Sequence, residues 1–130
     1  MKRIVGAALS IFILWNVVDF IVHGVILKNA YEATASLWRP MEEMKMGLMY
    51  FTVLISTIVF VAIYKRLVSN KSMGNAIQYG ALFGFGAGVT MGYGSYAFMP
   101  IPYSMALTWF LDVFIRTILA GLLLGLIVKK

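Results

Sequence analysis

Apolar residues run almost unbroken through four stretches of this chain, at about 4–27, 46–64, 75–98 and 105–128. Each is long enough to cross a bilayer as a helix, which takes about 20 residues at 1.5 Å per residue. The pattern predicts an all-α fold, an up-and-down bundle of four transmembrane helices forming one integral membrane domain over residues 1–130. Almost nothing lies outside the spans, so no soluble domain is left to carry chemistry.

The polar interruptions have their own signatures. Between the first two spans, Tyr31, Ala35 and Trp38 stand at helical spacing, which predicts a short interfacial segment with aromatic anchors at headgroup level. Pro40 followed by Glu42 and Glu43 reads as a helix start, with carboxylates at the positive end of the dipole. Ser69-Asn70-Lys71-Ser72 is a polar turn before the third span. Pro100 and Pro102 end that span, and Ser104 is the candidate cap of the fourth.

Glycines mark the third span. Gly80, Gly84, Gly88 and Gly92 recur every four residues, and Gly121 and Gly125 give the fourth span a similar patch. Glycines at this spacing open a groove in which another backbone can approach closely. The patch at Gly121 and Gly125 lies opposite Asp112 on a helical wheel, so the fourth helix has a polar face and a smooth face. The smooth face packs within the bundle or against a neighbouring protomer. The run from Gly84 to Gly88 is no dinucleotide loop, since it follows no strand and lacks the spacing.

Composition supports the membrane reading: 62% of residues are hydrophobic and 12% charged. Lys2, Arg3, Lys65, Arg66, Lys71, Lys129 and Lys130 fall on one side of the predicted spans. Lys28, Arg39 and Lys45 fall on the other, diluted by Glu32, Glu42 and Glu43. The positive-inside rule puts both termini in the cytoplasm, and the expected location is a bacterial inner membrane. The net charge of +6 is then a topology signal and an attraction to anionic lipid. No basic and aromatic stripe is present, so nucleic-acid binding is set aside. Lys2-Arg3, an apolar run and Ala33-Thr34-Ala35 imitate a secretory signal. The run, however, exceeds a signal core and carries Asn16, Asp19 and His23, which favours an uncleaved span. The chain has no cysteine, which excludes disulfides and thiolate metal sites.

Against this background four ionisable residues stand out inside the spans: Asp19 and His23 in the first, Asp112 and Arg116 in the fourth. Each pair is spaced i, i+4 and shares a helix face. A charge at mid-membrane costs roughly 2.5–3.5 kcal/mol on insertion scales, so the pairs are expected to be partners. With the first helix centred near Trp15 and the fourth near Arg116, both carboxylates lie about 6 Å outward of centre. Asn16 joins the face of Asp19 and His23, and Thr108 and Trp109 join that of Asp112 and Arg116. Arg116 is expected to bridge one carboxylate and His23 to bond the other, with His23 or a protonated carboxylate as the adjustable element. Such a cluster is either an ionic lock that sets helix register or a proton relay opening outward. No second acidic set continues toward the cytoplasm.

Other chemistry is weaker. Met41, Met44, Met46 and Met49 gather at the outer end of the second span, where thioethers suit Cu(I), though methionine is also a flexible filler. His23 alone makes a poor haem ligand. Ser95 lacks a nucleophile elbow, and no metalloprotease or P-loop spacing occurs. No enzyme, cofactor or metal is expected.

The run from Asp19 to Leu27, then Tyr31, then Leu37-Trp38-Arg39-Pro40, resembles the first half of small bacterial four-span membrane proteins of unknown function. The glycine-rich third span and tryptophan-containing last span are similar in layout. The resemblance implies a fold and no reaction. The expected role is a non-enzymatic module in a homo-oligomer or larger membrane complex, with a proton-linked channel or transporter as the alternative.

Overall fold

The computed structural model describes residues 1–129, so Lys130, one of the residues used for orientation, lies outside it. Helix α1, Lys2–Ile21, runs without a break into one π turn, Val22–Ile26. A short helix α2, Lys28–Ala33, and two single 3-10 turns, Ala35–Leu37 and Met41–Glu43, follow. Next come α3, Met46–Leu67, and α4, Met73–Val89, which passes through a second π turn, Thr90–Gly94, into α5, Ser95–Phe98. The chain ends on α6, Tyr103–Ile127. There is no strand among the described residues. Three helices, Lys2–Ile26, Met46–Leu67 and Tyr103–Ile127, are long and apolar enough to cross a membrane by length and composition. The remaining apolar stretch, 75–98, is helical too, as α4 and α5 joined by the π turn.

The packing centre is α6. Along one face it takes α4 in an antiparallel pair, and along another it takes α1, which in turn supports α3. The glycines explain the closeness of α4 and α6. A Cβ added at Gly80 or Gly84 would strike Thr117, one at Gly88 the Phe110 carbonyl, and one at Gly92 the Ala106 carbonyl. From the other side, Gly121 meets the Ala76 carbonyl and Gly125 meets Met73. Both glycine faces are therefore spent within the chain. The smooth face of the last helix is covered by α4, leaving no glycine patch there for a neighbouring protomer.

Small residues take a large share of the interior, alongside the fully buried Ile11, Phe60, Tyr64, Met105 and Leu124. Small residues such as Ala7, Ala76, Ala106 and Ala120 are fully buried, while Leu9, Ile13, Phe20, Phe51, Leu82 and Phe85 face outward. Lipid tails are as apolar as leucine, so close backbone approach rather than burial of large side chains holds such helices together.

Two cores result. Near the chain termini, Ala7, Ile11 and Trp15 of α1 pack with Phe60, Val61 and Tyr64 of α3, Ala76 of α4, and Ala120 and Leu124 of α6. At the opposite end, Val22, Leu27, Ile101, Met105, Ala106 and Trp109 gather beneath the α2 region, with Tyr31 and Trp38 against them. Tyr31 and Trp38 thus pack inward on the second core.

Helix ends depart from expectation in two places. Ser104 makes no cap, because α6 already begins at Tyr103; Pro102 precedes it and accepts from the Met105 N–H at 3.0 Å. Proline's fixed φ starts the helix without a side-chain cap. Pro40, Glu42 and Glu43 start only a single 3-10 turn, after which Met44 returns to extended backbone and α3 begins at Met46. Ser72 does cap α4, accepting from the Asn75 N–H at 3.1 Å. Lys71 closes α3 by donating to the carbonyls of Tyr64 (2.7 Å), Lys65 (3.1 Å) and Val68.

Candidate functional site

Between the two cores lies the ionic cluster. The antiparallel crossing of α1 and α6 brings residue 19 opposite residue 116 and residue 23 opposite residue 112. Arg116 Nη1 donates to Asp19 Oδ1 at 2.6 Å, and His23 Nε2 lies 3.5 Å from Asp112 Oδ2. One short charge-assisted bond and one looser contact therefore tie the helices in register.

Both tryptophans of the crossing take part. Trp15 donates its indole N–H to the Arg116 carbonyl at 3.0 Å, and the guanidinium sits 5.4 Å from the Trp15 ring centroid. A cation over an indole face is attracted by the ring quadrupole, most strongly where water is scarce. At the other end, Trp109 Nε1 donates to the Tyr31 hydroxyl at 2.9 Å, and that hydroxyl lies 2.6 Å from His23 Nδ1. Burial pushes the Tyr31 phenol up to about 12, with the fields of Asp112 and Asp19 adding to the rise and the Trp109 bond opposing it. The phenol therefore keeps its proton. The hydroxyl can donate to Nδ1, and in that arrangement a neutral His23 carries its proton on Nε2, facing Asp112.

Exposure grades across the cluster. The side chains of His23, Asp19 and Arg116 are 35%, 27% and 21% exposed, that of Asp112 only 3%. Asp112 Oδ1 is buried with no hydrogen-bond partner. A buried carboxylate oxygen without a donor is costly and rare in folded proteins. Asp19, His23 and Asp112 each present one ligand atom such that all three lie within 4.8 Å of one another.

Beside Arg116, a cleft of about 380 Å³ opens between α3 and α4. Ile55, Ser56 and Val59 form one wall, Phe83, Ala87 and Met91 the other, and Trp15 and Arg116 stand at its floor. Toward the termini the site stops. The buried polar groups there are hydroxyls that mostly bond carbonyls: Thr57 to Val53, Thr117 to Val113, Tyr79 to Phe60.

Of the residues expected to share the polar centre, Asp19, His23, Asp112 and Arg116 converge. Asn16 and Thr108 do not join them, because each satisfies its side chain on its own helix, at the carbonyls of Phe12 (2.8 Å) and Ser104 (2.7 Å). Met41, Met46 and Met49 are exposed. Tyr31 was legible only as an interfacial aromatic. Its spacing eight residues beyond His23, across a π turn, gives no helical signal that the two meet. Trp15 read as a mid-span marker, yet its indole lies against Arg116. Set beside protein-family models, curated proteins and solved structures, the chain matches none of them.

Proposed function

We propose that this chain is a non-enzymatic four-span membrane module, both termini cytoplasmic, that associates with a second copy or another membrane subunit through the cleft between α3 and α4. One observation carries the reading. Helix α3 is held by α1 and, through Phe60 and Tyr64, by Tyr79 and Phe83 of α4, all at the end near the termini. Its first half, including Leu48, Met49, Tyr50, Phe51, Leu54 and Ile55, is exposed, so the cleft gapes sideways at membrane depth. In this reading the 73–98 segment is the remaining span, and the ionic cluster holds α1 to α6 while α3 stays available. The basic residues of the loops and termini follow the positive-inside bias, and a bacterial inner membrane is the setting.

The chain lacks cysteine, so a single Ser56→Cys reports on the cleft without background. Crosslinking in native membranes should join it to a copy of itself or to one other subunit, whereas Ile13→Cys on the lipid face of α1 should stay monomeric. Monomeric behaviour of both variants, together with a native mass equal to one chain, would sink the proposal. The alternative, a proton-linked channel or transporter using Asp19, His23, Asp112 and Arg116, has less support. No carboxylate or imidazole continues from the cluster toward the termini, where the apolar core of Ala7, Ile11, Phe60 and Leu124 lies.

A further inference from the structure

We propose that Asp19, His23 and Asp112 bind a divalent first-row transition-metal ion of zinc type, with Tyr31 holding the far nitrogen of the imidazole. The proposal goes beyond the association reading and does not rest on it, since metal uptake is counted per chain.

Three observations carry it. The donor set is one imidazole and two carboxylates, a borderline nitrogen and oxygen set that suits zinc, cobalt or manganese more than Cu(I) or calcium. The ligand atoms already lie within 4.8 Å of one another. Ligands around a tetrahedral ion with bonds near 2.1 Å are about 3.4 Å apart, so closure needs side-chain adjustment on the scale of an ångström. The third observation points to a ligand independently: Asp112, 3% exposed in its side chain, keeps Oδ1 without any donor. An ion beside Asp112 would supply the positive charge that no hydrogen bond provides.

The surrounding groups fit this role. Metal-bound imidazoles commonly anchor their second nitrogen on a polar partner, and the Tyr31 hydroxyl stands 2.6 Å from Nδ1. On binding, Nε2 gives its proton up; Nδ1 takes one and donates it to the Tyr31 oxygen, so a neutral ring changes tautomer without net proton loss. Arg116 holds Asp19 through Oδ1 alone, leaving the other carboxylate oxygen for the ion. Two carboxylates, Arg116 and a divalent ion sum to +1. A hydroxide reaching the ion past the partly exposed His23 brings the site to neutrality, whereas the metal-free site carries −1 with a neutral His23.

The test is a Co2+ titration of the full chain in nanodiscs, read by visible d–d absorption and by metal content. Wild type should take up one ion per chain, displaced by Zn2+. Absence of saturable uptake by wild type overturns the proposal without any variant having to fold. His23→Cys should give a thiolate-to-cobalt charge-transfer band in the near ultraviolet, and a cobalt-loaded variant without that band would exclude His23 as a ligand. Asp112→Asn should weaken uptake at least about tenfold, and Tyr31→Phe about tenfold, in the range seen when the partners of metal ligands are removed. Replacing Met41, Met44, Met46 and Met49 by leucine should leave uptake unchanged. Loss of uptake there, or unchanged uptake in Asp112→Asn, would move the ion elsewhere and refute the assignment.

Discussion

The Asp19–Arg116 bond works because Arg116 has a second support. Arg116 rests against the Trp15 ring, and its carbonyl accepts from the same indole, so the guanidinium is held before it meets the carboxylate. Removing one partner leaves the other charge without its counterion in a poorly solvated place, which typically costs about 3 kcal/mol or more. Asp19→Asn should therefore lower unfolding free energy by about 3 kcal/mol in a mixed-micelle titration. The neutral double variant Asp19→Asn/Arg116→Gln should recover most of that loss, and strict additivity in the cycle would show that the two side chains are not coupled. Tyr31 plays the matching part at His23, because its phenol stays protonated and gives the ring a fixed partner. Tyr31→Phe keeps the packing against Trp38 and removes the hydroxyl, so a loss of about 1 kcal/mol is expected.

The α4–α6 pair is set by glycine position rather than glycine number. At Gly84 an added methyl would meet Thr117 and the Phe114 backbone, while at Gly86, on the outer side of the same helix, nothing lies within 4 Å. Gly84→Ala should destabilise by about 1–3 kcal/mol through overpacking. Gly86→Ala should be neutral or stabilising by up to about 1 kcal/mol, since alanine loses less entropy in a helix. Comparing the two melts separates packing from propensity; equal effects would mean that α4 does not lie against α6 in this register. A second contrast concerns helix starts. Ser72→Ala should cost about 1 kcal/mol because it removes the acceptor for the Asn75 N–H, while Ser104→Ala should change little.

Taken as a whole, the described bundle is tight at the end holding Ala7 and Leu124 and open beside α3 at the other end. The cluster sits where these regimes meet, with partial exposure on one side and an apolar core on the other. Proton movement through a single copy would have to cross that core, in which most hydroxyls serve neighbouring carbonyls, the buried Tyr64 hydroxyl has no partner, and no carboxylate or imidazole continues the line. Proteoliposomes containing the purified chain should show no proton leak above empty vesicles, by internal dye quenching, under an imposed pH gradient. A leak abolished by Asp19→Asn in folded protein would instead favour transport over the association role.

The length of the apolar runs alone was enough to predict the long helices and their all-α class, because a run of about 20 apolar residues has few other ways to satisfy its backbone. The pairing of Asp19, His23, Asp112 and Arg116 was also legible, since i, i+4 spacing places each pair on one face and helix rise gives its depth. The sequence could not reveal which face of α6 meets which neighbour. Gly121 and Gly125 suit a second protomer as well as α4, and only three-dimensional packing spends them on Ala76 and Met73. Asn16 and Thr108 had the correct helical phase for the cluster, yet local carbonyls one turn away captured them at no cost in chain reach. Tyr31 lies beyond a π turn and a change of direction, so its approach to His23 and Trp109 depends on how the second core folds the loop back. Local spacing encodes contacts along one helix; contacts between helices, and across a turn, arise from which surfaces fit.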